Sequence, residues 1–149
     1  MTIEKIWESL DENFKEEPSW WATNIPTEAE IIEAENKLNL KFHNGYKNYL
    51  RKYGGGGPFC YNLYGLKYAG GMDKDNYTVV TNTNFYQQRQ WPDIDRLYII
   101  SQDLSGNPIG IDPQGIVWLS DHDAGFEKVK LADNFEEFLY KLHTDTLYD

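Results

Sequence analysis

The chain predicts an α+β domain, and three observations carry that prediction. Apolar residues recur at helical spacing through the first third of the sequence. From residue 97 to residue 131 the pattern changes to short apolar runs separated by turn signals, roughly ten residues apart, as in an antiparallel meander. A last amphipathic segment closes the chain, so helices, then strands, then a helix follow in order.

Ile3, Ile6, Trp7, Leu10 and Phe14 predict a first helix over residues 2–15, which Pro18 ends. Residues 19–25, with Trp20 and Trp21, read as an aromatic connector. Thr27 and Glu30 have the spacing of a capping box and start a second helix whose apolar stripe is Ile31, Ala34 and Leu38. Glu35 lies on that same stripe, where a carboxylate needs a donor or must reach solvent at the helix edge. Phe42 leads into a third helix carrying Tyr46, Tyr49, Leu50 and Tyr53, and the run Gly54-Gly55-Gly56-Gly57-Pro58 terminates it.

Phe59, Tyr61, Leu63, Tyr64, Leu66 and Tyr68 read as short strands around Gly65, with a turn at Gly70-Gly71. Residues 76–90 fit both strand propensity (Tyr77 to Thr81) and helical spacing (Val79, Val80, Thr83, Tyr86), and helix is the preferred reading. The meander follows: strands at 97–100, 108–111, 116–119 and 128–131, with turns at 103–107, 112–115 and 121–125. Asp133 and Glu136 are placed to cap the last helix, whose apolar face is Phe135, Phe138, Leu139 and Leu142.

A length of 149 residues suits one domain, 1–149, with no room for a second core. The net charge of −10 argues against direct binding to nucleic acid, because phosphate contacts require clustered Lys and Arg; it favours solubility and a basic partner. Eleven Tyr and five Trp suit both core edges and interaction surfaces. Cys60 is the only cysteine, so no intrachain disulfide forms and a reducing compartment is expected. The N-terminus carries no signal-peptide pattern, and no run approaches the ~18 apolar residues of a membrane span; a soluble, cytoplasmic protein is expected.

The motifs that suggest chemistry are each better read as structure. The glycine run follows a helix and lacks the Gly-Lys-Ser/Thr of a phosphate loop. Asp121, His122 and Asp123 can supply oxygen and nitrogen ligands, yet His43 and His143 add no recognisable ligand spacing, and a polar hairpin turn is the preferred reading. Cys60 has no visible His partner, and the pairs Asp93/Asp95 and Glu136/Glu137 flank a turn and a helix start. No catalytic residue, metal or cofactor is assigned. A metal-dependent hydrolase at Asp121, His122 and Asp123 is the least favoured alternative.

The order of these features resembles the SUKH superfamily, which takes in the yeast cell-wall-assembly regulator and many bacterial toxin-immunity proteins. The resemblance rests on Pro26-Thr27-Glu28-Ala29-Glu30-Ile31, Glu35, Leu38, Phe42, Tyr46, Tyr49-Leu50 and Tyr53-Gly54-Gly55-Gly56 in the first half. In the second half it rests on Trp91-Pro92, Leu97 to Ile100, Gly106 to Asp112, Gly115 to Trp118, Asp121 to Asp123 and Leu131 to Leu139. It covers about residues 26–142 and leaves out the N-terminal helix and aromatic leader, residues 1–25. One departure is Phe42-His43, where the family usually has Leu-Pro; because proline at a helix start only presets φ, this should move the helix entry without altering the fold.

The resemblance implies a bent, mostly antiparallel central sheet flanked by N-terminal helices and a C-terminal helix, with no catalytic activity and no cofactor. It implies neutralisation of a cognate polymorphic toxin, often a nuclease, by direct protein–protein contact; a regulatory or scaffold protein, as in the eukaryotic branch, is the alternative. An acidic surface suits occupation of a basic nuclease cleft. Polar and aromatic groups at predicted strand ends and turns are the candidate contacts: Tyr64, Trp91, Asp93, Asp112, Asp121, His122 and Asp123.

Overall fold

The computed structural model describes residues 2–149. Five helices and four strands follow in the order α1 (Ile6–Glu16), α2 (Glu28–Leu38), α3 (Asn44–Tyr53), α4 (Val79–Gln88), β1 (Tyr98–Gln102), β2 (Pro108–Ile111), β3 (Val117–Asp121), β4 (Glu127–Ala132) and α5 (Phe135–His143). The strands form one antiparallel meander, β1-β2-β3-β4, with irregularities at Ile99/Ser101 and Val117/Trp118 that kink it. The α+β expectation holds.

Strand alternation sorts the core. Tyr98 and Ile100 of β1, Ile109 and Ile111 of β2, and Val117 and Leu119 of β3 face the main core with α1, α2, α3 and α5, where Tyr46, Tyr49, Leu50, Phe135 and Phe138 are fully buried. Ile99 points the other way into a smaller cluster with Tyr86, Ile94 and Leu97, flanked by Trp91 and Trp118. Helix α4 and the segment around Leu63 and Tyr64 together close the edge of β1: Thr83 Oγ1 accepts the Ile99 amide at 2.8 Å, and the Tyr64 amide donates to Ile100 O at 2.7 Å.

Helix starts follow local chemistry. Thr27 and Glu30 form the capping box that opens α2. Thr78 and Thr81 form a second one, which opens α4, so that Val79–Gln88 of the segment 76–90 is helix. Glu35, near the other end of α2, can sit inside because its carboxylate finds a donor. With only 4% of its surface exposed, Glu35 accepts the Phe42 amide at 2.7 Å and thereby fixes the α2–α3 connector. At the end of α3, Gly54 adopts φ 80, and a Cβ there would fall 2.3 Å from Asn24 O, so the glycine is required twice over.

Three expectations are corrected. Residues 59–68 form no strands, only single bridges from Leu63 to Ser101 and from Gly65 to Thr78. Their carbonyls are taken instead by the glycine loop and α3: the Tyr46 hydroxyl donates to Tyr64 O, and the Gly56 amide and Tyr49 hydroxyl donate to Leu63 O. The last helix is capped by Asn134, which accepts the Glu137 amide at 2.9 Å, while Glu137 reaches back to the Asp133 amide. The first helix is split, with a 3-10 turn at Ile3–Lys5 before α1, and Pro18 opens another at Pro18–Trp20.

Candidate functional site

Three aspartates of the meander do the same job at three turns. Asp103 Oδ1 accepts the amides of Ser105 and Asn107, each at 2.9 Å. Asp112 Oδ1 accepts those of Gln114 and Ile116 at 2.9 and 3.0 Å, and Asp121 Oδ1 accepts that of Asp123 at 2.9 Å. In the first two turns a glycine three residues later takes φ above 80°, which closes the loop. The second oxygen is used as well: Asp103 Oδ2 accepts Asn107 Nδ2, and Asp112 Oδ2 accepts Trp118 Nε1, both at 2.9 Å. Asp112 is therefore a loop organiser before it is a contact.

Asn107, buried, is the hub of one end of the sheet. Its Oδ1 accepts from the His122 amide at 3.0 Å and lies against His122 Nδ1, while its Nδ2 also reaches Asp121 Oδ1 at 3.4 Å. Asn107 Oδ1 can only accept, so His122 Nδ1 is the donor there, and Nε2 lies 3.3 Å from Asp123 Oδ1. Trp91 braces the same corner. Its Nε1 donates to buried Ser120 Oγ at 2.8 Å, and its ring meets His122, Phe126 and Tyr86 edge-on at 5.8, 5.2 and 5.3 Å.

The candidates do not form one site. Trp91, Asp121, His122 and Asp123 meet at the end of the sheet that holds the β1–β2 and β3–β4 turns. Asp112 lies at the opposite end, in the β2–β3 turn, and lines a cleft with exposed Asp93, which holds φ 60 in the loop before β1. Tyr64 belongs to neither. It is 3% exposed and packs on Ala22, Ala69 and Met72, and burial, with Asp73 nearby, pushes its hydroxyl up to about 12. Its side chain offers no surface to a partner in this conformation, because residues 59–68 fold inward instead of forming exposed strands.

The chemical readings can be weighed on geometry. One ligand atom from each of Asp121, His122 and Asp123 lies within 4.8 Å of the others. Asp121 Oδ1 and His122 Nδ1 are already engaged in ordering the turn, so a cation would be left His122 Nε2 and free oxygens of the two carboxylates. Ser9 Oγ lies 3.1 Å from His143 Nε2, but no group orients His143 Nδ1 among the described residues. Burial holds the His143 pKa below its ordinary value. Cys60 is an exposed free thiol.

The negative charge lies mostly elsewhere. Ten of the 24 carboxylates but three of the 14 cations fall in residues 1–40, so seven of the ten surplus negative charges are there. On α2 three of the four glutamates are paired, Glu28 with Arg51, Glu30 with Lys67 and Glu33 with Lys37, and the fourth is the buried Glu35. Glu4, Glu8, Glu12 and Glu16, four residues apart along the first turn and α1, are exposed, and no ion pair reaches them among the described residues. Neither this row nor the Asn107 hub was singled out from sequence. The row was legible in the i, i+4 spacing, whereas the hub depends on a contact fifteen residues apart.

A family model for the SMI1 / KNR4 family (SUKH-1) matches residues 25–141. The chain belongs to that family. No curated protein matches it. The match leaves α1 and the aromatic leader outside, yet both are built into the SUKH-1 domain: Ile6, Leu10 and Trp21 are buried in its main core. No helix among the described residues is long and apolar enough to cross a membrane.

Proposed function

We propose that this SUKH-1 domain is a non-enzymatic, cytoplasmic immunity-type protein that binds a cognate polymorphic toxin, a nuclease, and blocks its active or substrate-binding surface. Family membership over residues 25–141 carries the reading. The net charge of −10 supports it, since a nuclease cleft evolved for phosphates is basic. The unpaired glutamates of α1 provide long-range attraction. Trp91, Asp93, Asp112, Asp121, His122 and Asp123 supply short-range contacts; among them Asp123 and His122 keep 75% and 39% of their side-chain surface exposed.

Co-expression with the toxin domain encoded beside it should restore growth and yield a complex that survives gel filtration. Failure to bind any toxin encoded nearby would overturn the proposal. The clustering of the Asp121, His122 and Asp123 ligand atoms within 4.8 Å favours one second reading, a metal-dependent hydrolase. Stoichiometric metal in the purified protein, lost on H122A, would support that reading over the first.

A further inference from the structure

The two most exposed large apolar side chains among the described residues, Leu104 at 86% and Tyr148 at 60%, stand at one end of the sheet. Leu104 lines a cleft of about 300 Å³ with Cys60 and Tyr61, and Cys60 also lines a second cleft with Tyr148. The Tyr61 and Tyr148 hydroxyls, 2.9 Å apart, join the two. Both anchors are firmly mounted. Asp103 and Gly106, at φ 82, set the turn that carries Leu104, and Asn107 ties that turn to Asp121. Beside Tyr148, Leu147 is buried in the main core and the Thr146 amide donates to Lys141 O at 2.9 Å. Apolar groups held out in water by ordered backbone mark a contact surface, and little entropy is lost when they are covered.

Charge decides what covers them. Residues 59–62, 102–107, 121–127 and 143–149 build this end and hold six carboxylates, Asp103, Asp121, Asp123, Glu127, Asp145 and Asp149, with no Lys or Arg. Two cations flank it: Lys141, which lies 3.4 Å from Glu137, and Arg89, held over the Phe85 ring beside Tyr86. Counted in full, those two still leave a surplus of four negative charges. The opposite end has no such bias, since its clefts set Asp93, Asp95 and Asp112 against Lys41, Arg96 and Lys128. Only the Leu104–Tyr148 end therefore combines exposed apolar anchors with a rim of one sign.

We propose that this end docks a basic segment of a protein partner in which apolar side chains adjoin Lys or Arg. The partner's apolar groups pack on Leu104 and Tyr148, and its cations meet the exposed Asp123, Asp145 and Asp149 around them. Asp103 and Asp121 add to the field while they order their turns. An acidic segment is disfavoured by the same carboxylates, so the face selects its partner by sign as well as by shape. The proposal rests on the reading of the chain as a binding protein with a basic partner, and not on that partner being a toxin.

Three fluorescein-labelled peptides test it on the full chain: Gly-Lys-Leu-Arg-Phe-Lys-Gly, a counterpart with Glu for each Lys and Arg, and one with Gly for Leu and Phe. The first should raise anisotropy at about 1 mM or below and shift the amide resonances of Leu104, Asp123 and Tyr148. The other two, and the first against L104S or D123N/D145N/D149N, should bind about tenfold more weakly. All four altered side chains are exposed, so both variants should fold, and their amide spectra away from this end check it. E17Q/E33Q/D75N removes the same charge elsewhere and should bind within about twofold of the parent, which separates a local face from the net charge of the chain. No shift at this end, equal binding of the glutamate peptide, undiminished binding by L104S, or equal loss in the two triple variants would overturn the proposal. Toxin rescue is scored separately: peptide binding at this end without rescue removes the immunity reading and keeps the face, and rescue without peptide binding does the reverse.

Discussion

Replacing Glu35 tests how the α2–α3 connector is held. The carboxylate is 4% exposed, and its Oε2 accepts the Phe42 amide at 2.7 Å. E35A leaves that amide buried without a partner, a cost of about 1–3 kcal/mol. It also removes buried methylene surface worth about 0.8 kcal/mol per group. A total near 3 kcal/mol corresponds to a fall in Tm of about 6–12 °C for a domain of this size. E35Q keeps an acceptor of the same shape and should stay within about 1 kcal/mol of the parent, since a buried carboxylate also bears a desolvation cost that the amide escapes. Urea unfolding followed by tryptophan fluorescence gives both values, and hydrogen exchange at Phe42 reports the local opening. If E35A stays within about 0.5 kcal/mol of the parent, the bond is not holding the connector. If E35Q is as damaging as E35A, the charge and not the acceptor matters, and the reasoning fails.

Further outcomes follow from the same contacts. D112N keeps an acceptor for the Gln114 and Ile116 amides but sets an N–H donor against Trp118 Nε1; it should cost about 1–2 kcal/mol and move the Trp118 indole resonance. W91F loses the bond to Ser120 and part of the packing on His122 and Phe126, so about 1–2 kcal/mol should be lost and hydrogen exchange should accelerate over residues 121–126. His143 has a folded pKa below its unfolded value because burial disfavours its charge; the unfolded chain binds the extra proton, and stability should fall as pH drops below the unfolded pKa, ~6.5. H143Q should flatten that component of the stability–pH curve. E8Q/E12Q/E16Q removes the like-charge pairs at i, i+4, so stability should hold or rise by a few tenths of a kcal/mol, roughly, while association with the proposed basic toxin slows and loses salt dependence.

Much of the fold was readable because its determinants are local. Thr27 with Glu30, the glycines after Tyr53, and the turn residues between the strands all act within four or five positions, and each lies where the pattern placed it. Residues 59–68 misled because their alternation of Tyr and Leu has strand character, while the partners that claim their carbonyls come from α3 and the glycine loop. The same limit applied to Tyr64: its type and position suggested exposure, and long-range packing on Ala22 and Met72 decided otherwise. Asp133 lost the helix cap to Asn134 by one position, a choice that sequence spacing alone does not separate.

The aspartates divide by role in a way that bears on how this SUKH-1 domain recognises a partner. Asp103, Asp112 and Asp121 each direct an oxygen at the backbone of their own turn, so exchanging them for contact specificity would unmake the loop. The side chains free to vary lie beside them, at Asp93 and Asp123, and on α1 at Glu8, Glu12 and Glu16. The α1 surface is firmly mounted even though it precedes the family match. Trp21 packs at a tilt against Tyr53 with ring centroids 4.3 Å apart and donates to Asn13 Oδ1 at 2.9 Å, and the Ala22 amide donates to Gly55 O. A partner that meets the α1 glutamates therefore meets a surface locked to the glycine loop and α3. Charge on this helix can be altered to suit a partner at little cost to the core, whereas the turn aspartates cannot.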